Sequence, residues 1–96
     1  MFQLDRLYQM REEILRIAAK NNARKVYVFG SCARREETSD SDVDLLIDFN
    51  QKATVFDQVD IQDEMHSLLD CKVDMVSKRG LHPYIRSRVW AEAVEL

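Results

Sequence analysis

The chain has 96 residues, 46% of them hydrophobic, with a formal net charge of -3. That length holds one compact core, so a single domain over residues 1–96 is expected, and this composition argues against disorder. The mild acidity argues against a protein that coats nucleic acid through a basic surface. It leaves a nucleotide substrate open, since metal ions neutralise phosphates locally.

Two cysteines, Cys32 and Cys71, lie far apart. A disulfide framework in so small a chain usually needs four or more, so reduced thiols and a cytoplasmic location are expected. A zinc site with His66 and His82 lacks any C-x-x-C or H-x-x-x-H spacing. No apolar run approaches the roughly 18 residues of a membrane span, and the charged start (Asp5, Arg6, Arg11, Glu12, Glu13) does not read as a signal peptide.

In chain order, Phe2 to Asn22 reads as one helix, with Leu4, Leu7, Ile14, Ile17 and Ala18 on a stripe and Asn21-Asn22 as its stop. Lys25 to Phe29 is β-branched and aromatic and reads as a strand that ends at Gly30-Ser31. A short helical turn and a polar loop through Ser41 follow. Asp42 to Phe49 reads as a second strand. Val43, Leu45, Ile47 and Phe49 share one face, and Asp42, Asp44, Leu46 and Asp48 share the other.

Thr54 to about Leu69 reads as a second main helix, with Val55, Val59, Met65, Leu68 and Leu69 inward and Thr54 as a candidate cap. Cys71 to Val76 is a third strand. Gly80 breaks the chain, and Pro83 opens a last helix through Ile85, Val89, Trp90 and Ala93. The order αβ(α)βαβα predicts an α/β (α+β) domain, a small mixed sheet with helices packed against it.

Three features carry chemistry. Gly30-Ser31 ends a strand. It reads either as a turn with a serine cap or as a phosphate site, where glycine admits an anion and a helix start offers free N–H groups. Asp42 and Asp44 share a strand face about 6.6 Å apart. They are either solvated surface residues or hard oxygen ligands for Mg²⁺, and two-metal phosphoryl transfer uses cations about 3.5–4 Å apart. Asp74 interrupts a core-like strand. It pairs with Lys72 or serves as a third carboxylate beside the other two, holding a metal and helping to deprotonate an acceptor hydroxyl. Asp48, about 13 Å beyond Asp44, reads as an ordinary strand-end residue.

Gly30-Ser31, ten residues, then Asp42-x-Asp44 resembles the G-S-x(10)-D-x-D signature of the DNA polymerase β-type nucleotidyltransferases. Gly30-Ser-Cys-Ala-Arg34, Ser41-Asp42-Val-Asp44-Leu-Leu and the stretch from Leu81-His82-Pro83-Tyr84-Ile85 to Glu92-Ala93-Val94 resemble its minimal nucleotidyltransferase branch, and Asp74 matches the third carboxylate. The resemblance covers nearly the whole chain. One departure is Arg35, where members often carry glycine.

The resemblance implies a polymerase β-like core with ATP as nucleotide donor and two Mg²⁺ ions. Gly30 and Ser31 would bind phosphates, with Arg34 or Arg35 as further phosphate ligands. Asp42 and Asp44 would hold both metals and Asp74 the catalytic one. Members of the branch are typically antitoxins that transfer AMP to a tyrosine of a HEPN ribonuclease toxin and release pyrophosphate. A hetero-oligomer with such a toxin is therefore implied. The alternatives are an antitoxin that masks its toxin by contact alone, and nucleotidyl transfer to a small molecule or an RNA end.

Overall fold

The computed structural model describes residues 2–96. Its elements are α1 (Gln3–Gln9), α2 (Arg11–Lys20), β1 (Ala23–Phe29), α3 (Gly30–Ala33), β2 (Val43–Phe49), α4 (Val55–Leu69), β3 (Val73–Ser77), a 3-10 turn (Lys78–Gly80), α5 (Pro83–Glu92) and β4 (Val94–Glu95). The sheet order is β3-β2-β1-β4. β2 and β3 run parallel, while β1 pairs antiparallel with both β2 and β4. This is the mixed sheet that the sequence predicts.

The alternation in β2 divides the two sides of the sheet. Val43, Leu45, Ile47 and Phe49 are buried with Val26, Val28 and Val73 in the main core, beneath Leu4, Leu7, Ile14, Ala18, Ile61, Met65 and Leu69 of the helices. Each large apolar side chain sealed there contributes roughly 1.5–3 kcal/mol. The opposite, outer face is covered only in part. There Leu46 packs with Leu81 and Val89, flanked by Tyr27, Phe29, Val76 and Trp90. α5 thus lies over the middle of this face and leaves both of its ends free.

Several expectations need correction, the smallest being the first strand, which begins at Ala23 and not at Lys25. The first helix is two helices, broken at Met10 (φ -98°, ψ 10°). The break lets α1 swing so that the Gln3 N–H donates to Glu37 Oε2 at 2.7 Å and Arg6 donates to the Leu69 carbonyl. No Gly or Pro announces it.

Val55 and Val59 point outward, 71% and 54% exposed, and Ile61 takes the buried position instead. α4 starts one residue after its cap. The Thr54 hydroxyl accepts the Asp57 N–H and the Asp57 carboxylate accepts the Thr54 N–H, a reciprocal capping box. The stripe therefore runs Ile61, Met65, Leu69 at spacing four. The third strand spans Val73–Ser77, two residues later than its expected start. Finally, the chain after α5 forms β4, which pairs Val94 with Val28 and Glu95 with Tyr27 and covers the open edge of β1. A two-residue strand has no alternation to read.

Candidate active site

The connection from β1 into α3 builds the first half of the site. Gly30 has φ +72°, in the left-handed region that glycine tolerates. Pairing of Phe29 with Asp44 brings the next residue, Gly30, under the Asp44 side chain. A Cβ at Gly30 would stand 2.4 Å from Asp44 Oδ2. Both conformation and space therefore require glycine. Ser31 is half-buried in the opening turn of α3, whose first N–H groups have no intrahelical partners.

The second half is the end of the outer face where β2 and β3 begin. The parallel register sets Asp44 beside Asp74 on adjacent strands, with Asp42 just before β2. The carboxyl pKa of Asp44 is raised, first by burial and then by the charges of Asp74 and Asp42, while Arg34 opposes the shift. The three carboxylates that the sequence singles out thus share one electrostatic neighbourhood. Asp42 and Asp44 are half-buried.

Asp74 is exposed, so the expected cost of burying it does not arise. Lys72 also behaves differently from the alternative weighed for it: its Nζ stands 3.6 Å from Asp42 Oδ2. Lys72 is three-quarters exposed, and solvent weakens the pair.

Among the described residues, no three acidic, His or Cys side chains close around a common metal position. The donors are instead a row of hard oxygens on an open shelf. Such a row suits Mg²⁺, which typically takes one or two carboxylates and completes its shell with substrate phosphate and water.

Arg34 is engaged rather than free. It donates to Glu36 (3.0 Å) and, across to the end of α5, to Glu92 (2.8 Å). It still acts on Asp44 electrostatically. Arg35 has φ +56°, in the left-handed region that favours glycine, and the side chain pairs with Asp5 at 3.1 Å.

Cys32 lies fully buried under the site, its Sγ 3.5 Å from the Asp42 carbonyl. Burial pushes its pKa up to about 11, with smaller contributions from Glu37 and Asp44. Its thiol is structural. Asp48, on the same face, is far from an ordinary strand-end residue: it is buried and paired with Arg24 (3.0 Å) and Lys78 (3.9 Å).

Sequence reasoning missed Lys72 as the partner of Asp42, and Glu92 as the tether of Arg34. For Lys72 a signal existed, its place on the strand face of Asp74. For Glu92, 58 residues from Arg34 in the chain, there was none.

The family described as "Polymerase beta, Nucleotidyltransferase" matches residues 12–96. This chain belongs to the polymerase β nucleotidyltransferase family.

A relative in Methanocaldococcus jannaschii, named as a candidate protein adenylyltransferase, is 30% identical over 88 residues, covering 92% of this chain and 95% of its own. The protein adenylyltransferase MntA of Thermococcus cleftensis is 37% identical over 71 residues, 74% of this chain and 72% of its own. Among solved structures, a protein described as a candidate minimal nucleotidyltransferase superposes with a TM-score of 0.87 at 42% identity, over 97% of this chain and 95% of that one. The complex of a tri-AMPylated HEPN toxin with an MNT antitoxin from Shewanella oneidensis shares the fold, with a TM-score of 0.65 at 21% identity over 99% of this chain and 71% of that one. The chain is therefore a nucleotidyltransferase with the polymerase β-like fold. No helix among the described residues is long and apolar enough to cross a membrane.

Proposed function

We propose that this nucleotidyltransferase is an antitoxin that transfers AMP from ATP to a tyrosine hydroxyl of a HEPN-type ribonuclease partner. The observation that carries the reading is the contact of Gly30 with Asp44, in register with Asp74. It sets a glycine turn that opens a helix directly against the carboxylates, which supports a phosphate site there. The shelf is open, so a partner protein has room to bring both the acceptor and the missing wall. The names of the relatives at 30% and 37% identity point the same way.

In this reading, Gly30, Ser31 and the first N–H groups of α3 hold the β- and γ-phosphates of ATP. Asp42 and Asp44 would hold Mg²⁺, with Asp74 completing the set for the catalytic ion. Magnesium bound there supplies neutralising charge for the triphosphate and lowers the pKa of a hydroxyl near it. The acceptor oxygen attacks the α-phosphorus in line with the bridging oxygen to the β-phosphorus. A P–O bond to the acceptor forms, the bond to that bridging oxygen breaks, and pyrophosphate leaves. The hydroxyl proton passes to Asp74, the most exposed carboxylate of the three. Arg34 moves from its glutamates onto the phosphates. The chain contributes positioning and charge, the usual protein share in such transfers.

The test is the intact mass of the partner after coexpression with this protein or with its Asp42→Ala, Asp44→Ala variant. The reading predicts adenylyl-sized increments with the unaltered site only. A partner that is bound and silenced but unmodified overturns it in favour of masking by contact. Label on a small hydroxyl compound or an RNA 3′ end overturns it in favour of another acceptor.

A further inference from the structure

At the end of the outer face opposite the carboxylates, a cavity of about 290 Å³ opens between Arg24, Asp48, Lys78, Arg79, Arg86 and Trp90. Four cations face one carboxylate here, in a chain whose net charge is -3. Asp48 is buried and already shared by Arg24 and Lys78. Arg79 and Arg86 carry no ion pair among the described residues. Like charges crowded around a hollow repel one another, and an anion seated among them relieves that cost.

The hollow is separate from the candidate active site. Asp44 and Asp48 lie four residues apart on β2, roughly 13 Å along an extended strand. Between them α5 seats Val89 against Leu46.

Size and charge select the ligand. The volume lies at the lower end of small-molecule sites, about 300–1,000 Å³, so the occupant is compact. A phosphoryl group carries about -1.5 to -2 charges near neutral pH, against one for a carboxylate, and guanidinium forks grip its oxygens in pairs. We propose that this cavity is a second anion site, which takes a compact phosphate ligand such as pyrophosphate, free phosphate or the phosphate end of a nucleotide. The sequence did not suggest it, because its residues come from four separate places in the chain.

Trp90 is the only tryptophan and lines the cavity, with Lys78 Nζ 5.6 Å from its ring centroid. Its fluorescence is a built-in reporter. The experiment titrates the full-length Asp42→Ala, Asp44→Ala protein without magnesium, excited at the red edge of the indole band. The titrants are pyrophosphate, inorganic phosphate, AMP, hexaglutamate and sodium chloride at matched ionic strength. Circular dichroism checks that each variant is folded.

A saturable change with at least one phosphate compound is expected, at least tenfold weaker when Arg79→Ala and Arg86→Ala are added. The order of pyrophosphate, phosphate and AMP then tells a free-phosphate site from a nucleotide end. Three results overturn the proposal: no saturable change, the same response to chloride, or preference for hexaglutamate. A response that survives the two arginine changes also overturns it. Neither outcome depends on whether the protein transfers AMP.

Discussion

Asp44 and Asp48 stand on the same strand and the same face, yet their surroundings are opposite. Asp48 is buried and tied to Arg24 and Lys78. Asp44 has two other carboxylates as neighbours and no ion pair of its own among the described residues, and its pKa is raised. An aspartate whose charge is answered by cations serves the fold. One whose charge is left unanswered beside others like it costs stability, and that cost is recovered when cations bind. The same side chain, four residues along, thus meets two environments, one suited to holding the fold and one suited to binding cations.

The largest effect expected is at the hinge of the acidic end. Gly30→Ala forces a side chain onto a φ of +72° and into Asp44 Oδ2, so it should cost about 1–3 kcal/mol of stability and abolish transfer. Thermal melts and a transfer assay check this together. A variant as stable and active as the parent would break the link between the turn and the carboxylate.

The next pair sharpens the comparison directly. Asp44→Asn should abolish transfer while leaving the melting temperature equal or higher, because it removes repulsion. Asp48→Asn should lower the melting temperature, a stability loss on the order of 1–3 kcal/mol, while transfer survives. If the two stability effects were alike, the division of the face into a functional and a structural end would fail.

The acidic end also predicts a pH dependence. A carboxyl whose folded pKa lies above its unfolded value binds more protons when folded. Its contribution to stability is therefore greatest at low pH and is lost as pH rises from the unfolded value of 3.8 through the folded one. Asp57 and Glu64 are shifted down by hydrogen bonds, first from the Thr54 backbone and from Lys20 respectively, and act in the opposite sense. The difference in melting temperature between Asp44→Asn and the parent, measured without metal, should therefore grow as pH rises above about 4.

Smaller effects remain. Iodoacetamide at pH 8 should label Cys71, which is partly exposed, well before the buried Cys32 with its pKa near 11. Arg35→Gly should raise stability by about 0.5–1 kcal/mol, the cost of a left-handed non-glycine residue less a weak surface ion pair with Asp5.

Much of this was legible in the chain itself. The alternation in Val43 to Phe49 placed both faces of β2, and the spacing from Gly30-Ser31 to Asp42 and Asp44 named residues that the fold brings together. Pro83 opened α5 where expected. What was not legible depended on long-range partners. The break at Met10 answers to Glu37 and Leu69, β4 to the free edge of β1, and the fates of Asp48 and Lys72 to side chains that only the sheet register selects. The outward turn of Val55 and Val59 follows from where the Thr54 cap starts the helix.

The central claim is that the acidic end of the face moves AMP from ATP, by attack at the α-phosphorus, to a protein. The most direct measurement incubates the purified protein and the HEPN-type partner proposed for it with magnesium and ATP labelled at either the α- or the γ-phosphate. The account predicts α-label on the partner and γ-label in pyrophosphate. A γ-label on the partner, or no label from either, would contradict it.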